Sequence, residues 1–352
     1  MAPNRFYIFN DELKPWILDS EAELPWPDCR YFRKVLLAID QATPHLGLQF
    51  VVTDRVDGLL PLTGDDVVVI CIRDELCRMP AYAHSIRLLA KTYGVQRRPD
   101  FSRTVPGSPL QLGATAMQEG IVHARRLPAM VRSGMRTVVS GKRPAVVDVP
   151  LGTYLLEDLP FVRFEERRFD VSYAGSRLNK PEEAYRRVPT RKARSRHDLE
   201  ALLRSVAADR REWRVGTHII NTFQEAPAHS TLYSALLMDS RVVLCPRGGS
   251  LETYRFFEAL RSGSIPVTER LPPRDFYTGS PALSVRRWSE LPALLDEVLA
   301  DRARLEARHR AALAWWESRC SPEAVARRLL AALGEVGAEN RSLDQADGDA
   351  LR

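Results

Sequence analysis

The chain has 352 residues, of which 45% are hydrophobic and 27% charged. Those values are ordinary for globular proteins and exclude collagen, coiled coil and wholesale disorder, while the length calls for two domains. Lys plus Arg is 51 against 45 Asp plus Glu, a net +6 that is modest for this size. No apolar run reaches the roughly 18–20 residues that cross a bilayer; the best, Val67 to Ile72, stops at Arg73. Met1 to Glu12 lacks the apolar stretch of a secretory signal. Five cysteines are scattered at 29, 71, 77, 245 and 320 with no close pair. That pattern predicts neither a disulfide framework nor a zinc site, and it fits a reducing cytoplasm.

In chain order, Phe6 to Phe9 reads as an edge strand. Leu48 to Val52 and Val67 to Ile72 read as buried parallel strands, being short and rich in β-branched residues. His84 to Tyr93 has helical spacing, with Ile86, Leu89, Ala90 and Tyr93 on one face. Pro99 to Gly113 is rich in Pro, Gly and Ser and reads as a loop. Thr137 to Ser140 and Ala145 to Val149 read as strands, broken by Pro150 and Gly152.

The alternation then repeats. Phe169 to Ala174 is a strand ending in a Gly175-Ser176-Arg177 loop. Arg186 to Arg196 carries six basic residues and no acidic one, a run that attracts phosphates or remains a solvated loop. Asp198 to Arg210 reads as a helix capped by Asp198 or Ser195. Val215 to Ile220 is a strand, His229 to Met238 a helix, and Arg241 to Cys245 a strand. A helix follows from Ser250 to about Ser262, ended by Gly263. Ile265 to Val267 is the next strand. Leu291 to Ala300 and Arg302 to Glu317 are helices, and Pro322 opens the last one, through Leu333. Two parallel-sheet α/β domains are expected, residues 1–155 and 156–333, with a cleft between them and a disordered tail over 334–352.

The informative stretch is VVLCPRGGSLETYRFFEALRSGSIPV, Val242 to Val267. A buried strand delivers the chain to a Gly248-Gly249 turn, and a helix starts beyond the strand's carboxyl end. Ligands bind there in open α/β sheets, and a helix start suits a phosphate. Gly248 and Gly249 allow close backbone approach, and Arg247 adds charge. Leu251, Arg255 and Glu258 share one helix face. The bland alternative is a surface ion pair between Arg255 and Glu258, worth about 0.3–0.5 kcal/mol.

This stretch resembles the nucleotide-sugar-binding signature of exostosin-like glycosyltransferases, the family-47 type. Its turn, its arginine and the Glu-Ala-Leu…Gly…Ile-Pro-Val element correspond. AVVDVPLGT at Ala145 to Thr153 and FDVSYAGSRLN at Phe169 to Asn179 are similar to two further segments, in the order that family has. The resemblance covers roughly 145–330, and the Glu-Ala-Leu element is shared more widely among GT-B glycosyltransferases.

The resemblance implies a GT-B fold: two Rossmann-like domains, with the N-terminal one for the acceptor and the C-terminal one for the donor. Glu258 would accept from ribose hydroxyls. Arg255 and Arg177 would neutralise the diphosphate, with Gly175 and Ser176 as a second phosphate-facing loop. Arg247, Gly248, Gly249, Ser250 and Thr253 complete the donor set. No metal and no cofactor are expected. Ser250 stands where many retaining enzymes have a glutamate, and Glu252 is a candidate to replace it. An inverting reaction would need a base; Asp74 and Glu75, past a strand end, are candidates, and Asp54 and His45 are others.

The expected activity is transfer of a hexosyl or glycuronosyl group from a nucleotide-sugar, UDP-linked, to a glycan or lipid-linked acceptor in polysaccharide biosynthesis. The enzyme would be cytoplasmic, with peripheral membrane contact through the basic run. A non-catalytic GT-B-like partner or binding module is the alternative. Nucleic acid is not an expected partner, since no zinc-finger, RNP-like or helix-turn-helix signature accompanies the basic run.

Overall fold

The computed structural model describes residues 2–20, 24–96, 109–140, 143–178, 180–181, 190–210 and 212–350. The chain divides into two units. The first comprises Met1–Pro99, Gly120–Leu151 and Pro322–Arg352, and the second Asp100–Glu119 and Gly152–Ser321.

The first unit carries β1 (Arg5–Phe9), β2 (Leu13–Pro15), α1 (Cys29–Ala42), β3 (Gln49–Thr53), β4 (Gly64–Cys71), β5 (Ile86–Lys91), most of α2 (Pro109–Ser140) and β6 (Val146–Asp148). Its sheet has the order β2-β1-β3-β4-β5-β6, parallel except for β2. β1 is therefore covered on its outer side by β2 and is not an edge. Val67 to Ile72 is wholly buried, which is why it reads as one unbroken apolar run.

Four expectations are corrected here. His84 to Tyr93 holds a strand, β5, preceded by a short 3₁₀ turn over Ala83–Ser85. A strand buried on both faces shows no alternation, so its apolar positions fit a helical template equally well. Thr137 to Ser140 belongs to α2, as do Pro109 to Gly113 of the expected loop; residues 99–108 of that loop lie outside the described residues. The last helix, α8, runs Pro322–Ala350, through the expected tail, and packs on α1 and β5 of the first unit.

The second unit carries β7 (Phe169–Leu178), α3 (Arg191–Asp209), β8 (Val215–Thr222), α4 (Ser230–Met238), β9 (Ser240–Cys245), α5 (Tyr254–Arg261), β10 (Ile265–Glu269), β11 (Leu283–Val285), α6 (Leu291–Ala300) and α7 (Arg302–Trp315). Its five-stranded sheet, order β11-β10-β9-β7-β8, is wholly parallel. On one face Val171, Tyr173, Val242 and Leu244 pack with Leu199 and Leu203 of α3, Leu291 and Leu295 of α6 and Leu305 of α7. On the other, Ala174, Val243 and Cys245 pack with Leu237 of α4 and Ala259 of α5. The α/β class with two largely parallel sheets is thus the one expected.

Gly263 ends α5 as expected, with φ at +71°. The N–H of Ser264 donates to the Ala259 carbonyl (2.8 Å), closing the helix in the manner of a glycine cap. Below it lies Arg167, fully buried, whose guanidinium donates to the Ser240 carbonyl (2.6 Å), Ser264 Oγ (2.9 Å) and the Ser262 carbonyl. Burial pulls its pKa down to about 10. This one side chain ties the start of β9 to the end of α5.

Candidate functional site

The two sheets differ in one respect that decides where a ligand fits. In the first, β1, β3, β4, β5 and β6 follow each other in chain order, so the winding never reverses. In the second, β8 lies on one side of β7, while β9, β10 and β11 lie on the other. The reversal falls between β7 and β9. Chains leaving two such strands diverge to opposite faces, and a crevice opens at their carboxyl ends. Here α3 follows β7 onto one face and α5 follows β9 onto the other. β7 pairs with β9 as far as Ser172↔Val243, yet with β8 as far as Leu178↔Thr222.

Gly175, Ser176 and Arg177 lie inside β7 rather than in a loop after it. Gly175 still serves close approach: a Cβ there would collide with the guanidinium of Arg255 and come within 3.2 Å of Tyr173 Oη. Arg255, the second residue of α5, is only 7% exposed. Its guanidinium carbon lies 5.4 Å from the centroid of the Tyr173 ring. Its Nε and Nη1 are buried without a hydrogen-bond partner. A guanidinium cannot shed its proton, so this is a fixed positive charge with two unused donors at the sheet's switch point.

Other cations converge on the same strand end. Described residues of the basic run, from Arg191, form the first turns of α3, capped by Thr190, whose Oγ1 accepts from Ala193 N–H (3.2 Å). Residues 186–189 lie outside the described residues. Lys192 and Arg196 are buried, so this part of the run is not a solvated loop. Arg196 Nη1 donates to Ser176 Oγ (2.9 Å) and to the Ser176 carbonyl. Lys192 Nζ sits 5.4 Å from the Phe223 ring centroid. Ser195 Oγ donates to Glu269 Oε2 (2.8 Å), which also accepts from Arg247 N–H (3.0 Å), while Trp288 Nε1 donates to Ser195 Oγ (2.9 Å). Glu269 thereby joins the α3 start to the loop after β9.

That loop is longer than expected. α5 begins at Tyr254, with Thr253 as its N-cap, and not at Ser250. Ser250 Oγ accepts from Glu252 N–H (3.0 Å) and so helps shape the loop. Gly248 is buried and Gly249 exposed. Cys245, at the strand end, is fully buried, and burial pushes its thiol up to about 12, out of reach of thiolate chemistry at neutral pH.

Three expected roles meet other partners. Glu258 is 2% exposed; its Oε1 accepts from the N–H groups of Tyr154 (2.8 Å) and Leu155 (3.1 Å), and its Oε2 from the Tyr233 hydroxyl. The carboxylate anchors the segment that enters the second unit. Arg177 makes a bidentate pair with Glu200 (2.6 and 2.8 Å), which holds the Glu200 carboxyl below its usual range. Glu252 is buried and accepts from Arg274 Nη1 and the Tyr277 hydroxyl, each at 3.0 Å. Both bonds fall on Oε1, so Arg274 and Tyr277 fix the orientation of this carboxylate.

In the first unit, Asp74 is buried and accepts from Lys91 Nζ (2.9 Å), Arg78 N–H (2.6 Å) and Arg78 Nε (3.2 Å). Burial alone would raise its pKa; Lys91 and Arg78 outweigh that and hold it low, the wrong direction for a base. Glu75 and His45 are exposed. Asp54, just past β3, differs: its Oδ1 is buried without a hydrogen-bond partner, and burial raises its pKa despite Arg73 and Arg55. Among the described residues no cluster of three or more His, Cys, Asp or Glu side chains could hold a metal ion.

Residues 188–275 match the model of the RXYLT1 C-terminal domain, a span from α3 to past β10. The chain is 33% identical over 110 residues to ribitol-5-phosphate xylosyltransferase 1 of Danio rerio, covering 27% of this chain and 25% of that protein. Against the Homo sapiens protein of the same name it is 33% identical over 81 residues, 18% of each. The chain thus spans a quarter or less of these relatives. Among solved structures, sucrose-phosphate synthase from Thermosynechococcus elongatus is 13% identical with a TM-score of 0.42, covering 90% of this chain and 93% of that one. WaaG, a glycosyltransferase involved in lipopolysaccharide biosynthesis, is 11% identical with a TM-score of 0.39, covering 86% and 96%. The matching family model is not the exostosin-like one. The coarser resemblance stands: residues 188–275, which include Arg196, Arg247 and Arg255 but not Tyr173 or Gly175, are similar to a domain of a glycosyltransferase.

Proposed function

We propose that the protein is a glycosyltransferase whose second unit holds the diphosphate of a nucleotide-sugar at the switch point between β7 and β9. One observation carries the reading: Arg255 is more than nine-tenths buried, stacks on Tyr173 against a side-chain-free Gly175, and has two guanidinium nitrogens without a partner. A buried charge in that condition costs stability unless a ligand completes it. A diphosphate supplies oxygens for that fork, and the starts of α3 and α5 add their positive dipole ends. As the leaving diphosphate gains charge, the same groups stabilise it.

The relatives' name supports a finer reading, a xylosyl donor and a phosphorylated polyol acceptor. A UDP-linked pentose is therefore the first donor to try, ahead of hexosyl or glycuronosyl donors. Asp54 replaces Asp74 and Glu75 as the candidate base, since it alone of them pairs a partnerless buried oxygen with a raised pKa. The non-catalytic reading draws support from the pairing of Asp74 and Glu252. Incubation with a panel of UDP-sugars separates the two. Release of UDP, abolished by Asp54→Asn, is the expected result; binding without release for every donor would favour the binding module.

A further inference from the structure

We infer that the C-terminal two-thirds of α2 is an in-plane membrane-binding helix that seats the protein on an anionic lipid surface. Between positions 121 and 139, α2 exposes Ile121, Leu127, Val131, Met135, Val138 and Val139. Their exposure rises along the helix, from 48% at Ile121 to 84% at Val138 and 87% at Val139. At helical spacing these six fall within about 120° of the circumference, one continuous stripe. A helix on a globular unit ordinarily turns such a stripe inward. Here the other side is docked: Arg126 and Ala129 are buried, Arg126 Nε donates to the Leu76 carbonyl, and Ser133 Oγ lies 3.1 Å from His84 Nε2. The apolar side is left outward by construction.

The charge pattern names the occupant. Arg125, Arg132 and Arg136 line one flank of the stripe, and positions 120–140 contain no acidic residue. Arg132 reaches Asp57 (3.4 Å) and Arg136 the Ala81 carbonyl, but all three arginines remain exposed at the edge of the apolar face. An apolar face edged by arginine is the pattern of a helix lying at the boundary of headgroups and acyl chains. A second copy of the same face would bring like charges together, whereas anionic lipid complements them. No helix among the described residues is long and apolar enough to cross a membrane, so α2 would lie on the surface. In the basic run from Arg186, the earlier expectation for membrane contact, Lys192 and Arg196 are buried and Arg191 and Arg194 half-buried, so among the described residues α2 offers the more exposed surface.

Flotation of the full chain with vesicles of phosphatidylcholine alone, and of phosphatidylcholine with phosphatidylglycerol, tests this. The wild type should float with the anionic vesicles and not the neutral ones. Val131→Asp with Met135→Asp should abolish flotation at unchanged Tm, and Arg125→Gln should weaken it about fivefold, as expected for one arginine near the surface. Met135→Trp should shift its emission to the blue only with anionic vesicles. No flotation with anionic vesicles, or a dimer that the double variant dissociates without any vesicle binding, overturns the inference. The outcome is independent of nucleotide binding, so it can fail while the reading of the second unit stands.

Discussion

Gly175 and Arg255 share one space. The guanidinium stands where a side chain at 175 would begin, so the strand end is open to the arginine only because position 175 is bare. Gly175→Ala should therefore push Arg255 out of place. The expected result is at least about tenfold weaker binding of a nucleoside diphosphate, equivalent to one charged hydrogen bond, with far-UV circular dichroism unchanged. Titration calorimetry on both proteins checks it.

Arg255→Met separates a binding role from a structural one. The arginine has two unsatisfied buried nitrogens and no carboxylate partner at salt-bridge distance among the described residues. Replacing it with an apolar side chain of similar length leaves no orphaned partner, so Tm should hold or rise. Diphosphate binding should be lost. A drop in Tm of many degrees would mean that the guanidinium is structural.

The opposite balance is expected at Glu258. Its carboxylate takes two backbone N–H groups and a tyrosine hydroxyl. Glu258→Gln turns one acceptor oxygen into a donor among donors and should cost about 1–3 kcal/mol. Chemical denaturation measures that cost, and nucleotide affinity of the folded fraction should change less than stability does.

Most strands were legible because a buried parallel strand is an apolar run between turn residues, as in β3, β4 and β9. The same property hid β5, where absence of a period allowed a helical reading. α1 was missed, although Cys29, Tyr31, Phe32, Val35, Leu36 and Ile39 form its buried face. Val138 and Val139 resembled a strand because α2 turns apolar residues outward. At the site, the glycine turn and Arg255 were visible as a motif. The partners of Glu258 were not, since two of them are backbone N–H groups about a hundred residues earlier in the chain. No pattern along one sequence encodes such a contact.

Asp74 links the first unit to pH. Its folded-state pKa is depressed by Lys91 and Arg78 against the effect of burial. Its contribution is therefore fully present above the ordinary aspartate pKa and is lost as pH falls through the folded value. Asp74→Asn should lower stability by about 3–5 kcal/mol at pH 7, because Lys91 is left buried without its counter-charge. The gap between variant and wild type should narrow as pH falls below about 4. Denaturation midpoints at pH 7 and pH 3 read both.

The most direct test is calorimetric titration of the full chain with UDP and with uridine, repeated on Arg255→Met. UDP should bind the wild type at least about tenfold tighter than uridine, and the substitution should erase that difference while uridine binding persists. If UDP and uridine bind alike, or if UDP binds the variant as tightly as the wild type, the β7–β9 switch point is not a diphosphate site.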